Sequence, residues 1–136
     1  MDPWPADKDT TAVRDLCQRL GGRRFIFIVG SIRSGTTWLH RMLAEHPQVA
    51  THSQELTVFS DYLAPAMRSY QRESVDEAHL NHGMPVLLDP TAFHNGLCAV
   101  AAELYGRVVA LNPGATVVLD KRPDYGHHIP LVERLA

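Results

Sequence analysis

The sequence predicts an α/β fold built on a parallel sheet, and three observations carry that expectation. The run Arg24-Phe25-Ile26-Phe27-Ile28-Val29-Gly30 is almost wholly apolar and rich in β-branched and aromatic residues, the pattern of a strand covered on both faces. A second such run, Thr116-Val117-Val118-Leu119-Asp120, lies near the other end of the chain. Segments of helical spacing follow the first run and precede the second, and strands that alternate with helices belong to parallel sheets.

Taken in order, residues 1–9 are rich in Pro and Asp and read as a loose lead-in. Thr10 or Thr11 can cap a short helix carrying Val13, Leu16, Cys17 and Leu20 on one side, and Gly21-Gly22 stops it. The first core strand follows at 24–30. From Gly35 the spacing turns helical, with Leu39, Met42 and Leu43 on one face and Arg41 and Glu45 away from it, until His46-Pro47 ends the element. Residues 54–82 read as helical pieces broken at Pro65, and residues 83–96, with Gly83, Pro85, Pro90 and Gly96, as loop-rich. A helix over 97–111 is stopped by Asn112-Pro113-Gly114, the second strand covers 116–120, and a further helix opens near Gly126 or His127. The chain divides into a lead-in with a helix, 1–23, and one α/β unit, 24–136.

A chain of 136 residues has room for one core. With 45% hydrophobic and 21% charged residues it has the composition of a globular protein. The net charge of −2 excludes a broad basic field for nucleic acid or anionic lipid, so an anion must be held locally. Cys17 and Cys98 show neither CxxC nor Cys/His ligand spacing, which speaks against a disulfide framework or a structural metal site. No secretory leader is evident and no apolar run approaches the ~20 residues that span a bilayer, so a cytoplasmic setting is expected.

The chemistry concentrates directly after the first strand, in Gly30-Ser31-Ile32-Arg33-Ser34-Gly35-Thr36-Thr37-Trp38. Its G-x-x-x-x-G frame is that of a phosphate-cradling P-loop, with Thr36 where a nucleotide triphosphatase carries its Lys. Without that Lys the loop is poorly equipped for a triphosphate, yet its amides and hydroxyls still suit a single phosphate at a helix N-terminus. The plain alternative is a glycine turn with a threonine cap.

The segment R-S-G-T-T-W-L, followed by a helix ending in His46-Pro47, resembles the 5′-phosphosulfate loop of sulfotransferases that use 3′-phosphoadenosine 5′-phosphosulfate (PAPS). Leu119-Asp120-Lys121-Arg122-Pro123-Asp124-Tyr125 is similar to the second-strand motif of that family, often E-K-T-P or N-K-D-P. The resemblance covers 24–48 and 116–135, and the region between matches loosely. It implies a P-loop-like three-layer α/β/α fold, its sheet incomplete in this chain, and sulfuryl transfer from PAPS to a hydroxyl or amine on a small molecule, peptide or glycan, with no metal. By the same resemblance Arg33, Ser34, Gly35, Thr36, Thr37 and Trp38 hold the donor. Arg33 and Lys121 stabilise the transferring group and the leaving phosphate, where two cations meet developing charge.

A hydroxyl acceptor must lose a proton, and the candidates nearest the loop are Glu55 and His52. Glu55 is preferred, because the tyrosylprotein branch places a Glu at a similar interval after its H-P. His127 and His128 read as capping or surface positions. The family's R-D-P motif and a later Ser, which grip the donor's 3′-phosphate, are not met before Ala136. The expectation is therefore an N-terminal fragment that is poorly active in isolation and prone to aggregate through unpaired strand edges. Two other classes remain open: a nucleotide kinase or NTPase, and a non-catalytic interaction module that keeps a degenerate phosphate loop. Acceptor identity and oligomeric state have no readable code.

Overall fold

The computed structural model describes residues 18–31, 33–75, 82–123 and 127. Most of the expected first helix and the expected helix near residue 126 lie outside these. Three strands, β1 (Arg24–Ile28), β2 (Val49–Thr51) and β3 (Val117–Lys121), form a parallel sheet in the order β1-β3-β2. The helices are α1 (Thr36–Ala44), α2 (Ala64–Val75) and α3 (Pro90–Ala110), with a π-helical turn at Val58–Leu63 and a 3-10 turn at Met84–Val86. The fold is mixed α/β, and none of its described helices is long and apolar enough to cross a membrane.

The central strand is β3. Its register pairs Ile26 with Leu119 and Ile28 with Lys121 on one side, and Thr51 with Leu119 on the other. Val118, Leu119 and Asp120 are buried. Because strand side chains alternate between faces, the register sorts the neighbours of the sheet. Phe25, Phe27, Val118 and Asp120 belong to one set. Tyr105 of α3 packs edge-on against Phe25 at 5.1 Å, and Phe59 of the π-helical turn packs edge-on against Phe27 at 5.6 Å. The alternate set contains Thr51 and Lys121, which are reached by His40 and Thr37 of α1.

Helix α3 presents Phe93, Leu97, Cys98, Ala101, Tyr105 and Val108 to the core, a stripe at steps of three and four. The small Cys98 and Ala101 let the helix lie close, and Tyr105 fills the space beyond them. The Tyr105 hydroxyl donates to Asp120 Oδ2 at 2.6 Å, satisfying a carboxylate that the central strand buries.

Four details differ from the sequence reading. Among the described residues strand β1 is not covered on both faces: it lies at the edge of the sheet, Arg24 and Ile26 are exposed, and Ile28 alone of its residues is fully buried. Helix α3 begins at Pro90, seven residues before the expected 97, because Asp89 caps it by accepting from the Ala92 amide at 2.8 Å while Pro90 takes the first helical position. Pro65 does not break the helix: the π-helical turn Val58–Leu63 runs directly into α2, the Ala64 amide donates to the Phe59 carbonyl, and Pro65 falls at this change of helical pitch. Strand β2 was not foreseen.

The amino-terminal side of the sheet is fastened by side chains. The Arg23 guanidinium donates to the carbonyls of Leu20, Pro113 and Ala115 at 2.8–2.9 Å, and Asn112 Nδ2 donates to those of Pro47 and Val49 at 3.0 Å. With that side closed, the carboxyl ends of the strands are where a site can open.

Candidate active site

Three chain segments leave the sheet at its carboxyl edge and meet. The first is the loop after β1. Gly30 has φ 155°, Arg33 φ 62° and Gly35 φ 90°, and the Ser34 amide donates to the Ser31 carbonyl at 3.2 Å. Arg33 holds a left-handed conformation that costs a side-chain-bearing residue of order 1 kcal/mol, the kind of local strain that gathers at binding sites. Gly35 stands at the N-cap of α1 without a side-chain cap, so the threonine cap of the plain reading is not what is seen. The first amides of α1 therefore face away from the helix with no intrahelical carbonyl to meet, and the helix dipole adds positive potential there. Among the described residues no atom beyond its chain neighbours lies within 4 Å of where a Cβ on Gly35 would stand, so the turn is open on that side.

The second segment is the end of β3. Lys121 Nζ donates to Thr37 Oγ1 at 2.9 Å and pairs with Glu55 Oε1 at 2.9 Å. The third is the loop after β2, which brings Glu55 in. Its other oxygen, Oε2, accepts from Arg122 at 2.9 Å. The side chains of Lys121, Arg122 and Glu55 are 12%, 22% and 34% exposed, so the cluster is half-sheltered and opens to solvent mainly at the carboxylate. Two cations on one carboxylate leave the cluster one positive charge in excess beside an amide-lined helix end. That surplus, the open mouth at Gly35 and the exposed Arg33 fit a multiply charged phosphate ester.

The electrostatics follow from these contacts. The hydrogen bond from Lys121 holds the Glu55 carboxyl below the usual carboxylate range; partial burial opposes it, and Arg122 adds to the lowering. Glu55 is therefore a carboxylate at neutral pH. On α1, His40 is pushed below the ordinary imidazole value first by burial and then by the charges of Lys121 and Arg41. Its Nε2 lies 2.8 Å from Thr51 Oγ1, which in turn donates to the Leu119 carbonyl at 2.7 Å. With the Thr51 proton spent on that carbonyl, His40 is the donor. The pair fastens the helix behind the loop to β2 and β3, the strand that carries Lys121.

Of the residues singled out from the sequence, Thr37, Glu55 and Lys121 are brought into direct contact, and Gly35 and Thr36 form the start of α1 beside them. Arg33 and Ser34 line the turn and are exposed. Trp38, also in the first turn of α1, is 67% exposed. The His52 side chain turns back on its own loop, Nδ1 accepting from the Gln54 amide at 3.0 Å. His127 is exposed, and His128 lies outside the described residues. Sequence reading missed Arg122 and His40. The signal for Arg122 was present, as a second cation next to Lys121 in the strand-end motif, but its role depends on where Glu55 falls in space.

A parallel sheet with a glycine-bearing turn after one strand and a lysine at the end of its neighbour defines an α/β protein whose charged side chains gather at the carboxyl edge. Residues 25–136 match the model of the sulfotransferase family, and the chain belongs to that family. Searches of curated proteins and of solved structures give no match.

Proposed function

We propose that this protein is a sulfotransferase that takes a sulfuryl group from PAPS to a hydroxyl or amine acceptor, a small molecule, peptide or glycan, without a metal. The observation that carries the reading is the double contact of Lys121 Nζ, with Thr37 on the phosphate loop and with Glu55 across the opening. One ammonium thus touches both the side that would hold the donor and the side that would receive the acceptor. In this reading residues 24–136 make up the sulfotransferase unit, with the sheet as the middle layer of a P-loop-like α/β/α arrangement and α1 and α3 on its two faces, and the protein works in the cytoplasm.

The donor supplies a sulfuryl group already joined to a phosphate leaving group. Amides of Ser34, Gly35, Thr36 and Thr37, with the two threonine hydroxyls, hold the 5′-phosphate at the start of α1. Trp38, exposed in the first turn of α1, bounds the donor site in this reading. Arg33 and Lys121 meet the negative charge that collects on the phosphate side as the sulfur is lost, the electrostatic term that dominates transfers of this kind. Glu55 takes the proton of the acceptor hydroxyl. Its carboxyl is held ionised by Lys121, and when Lys121 turns to the donor the loss of that contact raises its proton affinity, so that the base strengthens once the donor is in place.

Equilibrium binding tests the reading. The purified chain is expected to bind adenosine 3′,5′-bisphosphate and PAPS and to ignore Mg-ATP. Arg33→Ala or Lys121→Ala should weaken binding by about tenfold or more, the loss of one charge-assisted hydrogen bond. Glu55→Gln should retain donor binding and lose whatever transfer of the radiolabelled sulfuryl group the chain supports, weak as the sequence expects that transfer to be. Preference for Mg-ATP would sink the proposal in favour of a kinase, and binding indifferent to Arg33 and Lys121 would remove the loop from the site.

A further inference from the structure

The two cations on Glu55 are held differently. Lys121, on Oε1, shares its ammonium with Thr37 of the phosphate loop, so its contact is one that an incoming anion would compete for. Arg122, on Oε2, starts from a fixed platform: its amide donates to the Ile28 carbonyl at 3.1 Å, continuing the β1/β3 ladder by one residue, and the Gly30 amide approaches the Pro123 carbonyl at 3.5 Å. The arginine stands where the E-K-T-P and N-K-D-P motifs carry Thr or Asp, so a carboxylate anchored from this position is a property of this chain's own sequence.

Resting on the reading of Glu55 as the base, we propose that Arg122 is a positioning residue that pins Oε2 of Glu55, leaving Oε1 as the oxygen turned to the acceptor when the donor draws Lys121 away. An unpinned carboxylate would be free to follow Lys121 toward the donor or to rotate, and either movement carries the base off the acceptor. A planar guanidinium fixed at its backbone holds one oxygen in one direction, which a flexible ammonium does not. Among the described residues the charged groups on Glu55 are Lys121 from β3 and Arg122 just beyond it. From α1 the Thr37 hydroxyl reaches the cluster through Lys121, and His40 is turned to Thr51.

The test is an NMR titration of glutamate carboxyl carbons in the full chain, with Glu55→Gln identifying the Glu55 signal. In the ligand-free protein, Arg122→Gln should raise the Glu55 midpoint, the effect of removing one adjacent opposite charge, and Arg122→Lys should restore most of that shift. Saturating adenosine 3′,5′-bisphosphate should raise the midpoint a little in the wild type, where Arg122 stays, and clearly further in Arg122→Gln, where nothing remains. Affinity for the bisphosphate should change by no more than about twofold in Arg122→Gln, since Arg122 does not hold the donor. An unmoved Glu55 midpoint in Arg122→Gln would overturn the proposal. So would an Arg122→Gln loss of bisphosphate affinity as large as that of Lys121→Ala. Failure of the base reading is seen separately, as sulfuryl transfer that survives Glu55→Gln, and it leaves the titration result intact.

Discussion

Replacing Lys121 by Met separates the two halves of the site while keeping an unbranched side chain of similar length. The variant loses the contact to Thr37 Oγ1 and the pair with Glu55 Oε1, both at 2.9 Å. A hydrogen bond of this kind contributes about 0.5–1.5 kcal/mol net. The ion pair, with Glu55 a third exposed, is worth the ~0.2–1 kcal/mol of a screened surface pair, and solvent holds it toward the low end. Together these give a loss of about 1–2 kcal/mol, or roughly 3–6 °C in melting temperature for a chain of this size. The pH dependence separates the two terms. Glu55 has a folded-state pKa below its unfolded one, so its pairing stabilises the fold above the unfolded carboxylate value and is lost as pH falls through the folded value. The gap between wild type and Lys121→Met should therefore be full at neutral pH and shrink toward the Thr37 hydrogen bond alone as pH falls through the lowered folded-state value of Glu55. Thermal unfolding followed by circular dichroism reads both. A gap that is absent at neutral pH, or that stays constant down to acid pH, would refute the assigned contacts.

Other substitutions probe the scaffold and the loop. Tyr105→Phe leaves Asp120 Oδ2 without the 2.6 Å donor of a fully buried pair and should cost about 1.5–3 kcal/mol, read as a lower urea midpoint with unchanged slope. Asp89→Ala removes the cap of α3 and should cost about 0.5–2 kcal/mol, with Asp89→Asn recovering most of it. Gly35→Ala meets no atom within 4 Å yet must adopt φ 90°, so it should cost about 1 kcal/mol of stability while weakening binding of adenosine 3′,5′-bisphosphate by at least about tenfold. If binding survives Gly35→Ala intact, the turn is not what shapes the phosphate cradle.

The sequence spoke most clearly where a physical signal was local. The apolar runs at 24–30 and 116–120 became β1 and β3, because a continuous apolar run and its β-branched and aromatic content are properties of a few adjacent residues. The glycine turn and the switch to helical spacing at Thr36 were local in the same sense. Strand β2 was not legible: Val49-Ala50-Thr51 has no run of its own, and its pairing exists because β3 offers a free edge from 68 positions away, where Thr51 Oγ1 also meets Leu119 O. Pro90 was read as an interruption because the penalty of a proline depends on whether it falls in a first turn, which a neighbouring cap decides, and Pro65 because the π-to-α change of pitch that carries the helix through it has no local signal. At the site, Lys121 and Glu55 could be named singly from a family pattern, but no spacing along the chain says that β3 lies between β1 and β2 and so carries Lys121 to both. Arg122 and the His40–Thr51 tie depend wholly on that packing.

The central claim is tested most directly by a crystal structure of the chain with adenosine 3′,5′-bisphosphate. The account predicts the 5′-phosphate on the amides of Ser34 to Thr37, with Lys121 Nζ moved from Glu55 onto the phosphate and Arg122 still on Glu55. A phosphate bound away from that turn, or a Lys121 that keeps both its present partners in the complex, would contradict it.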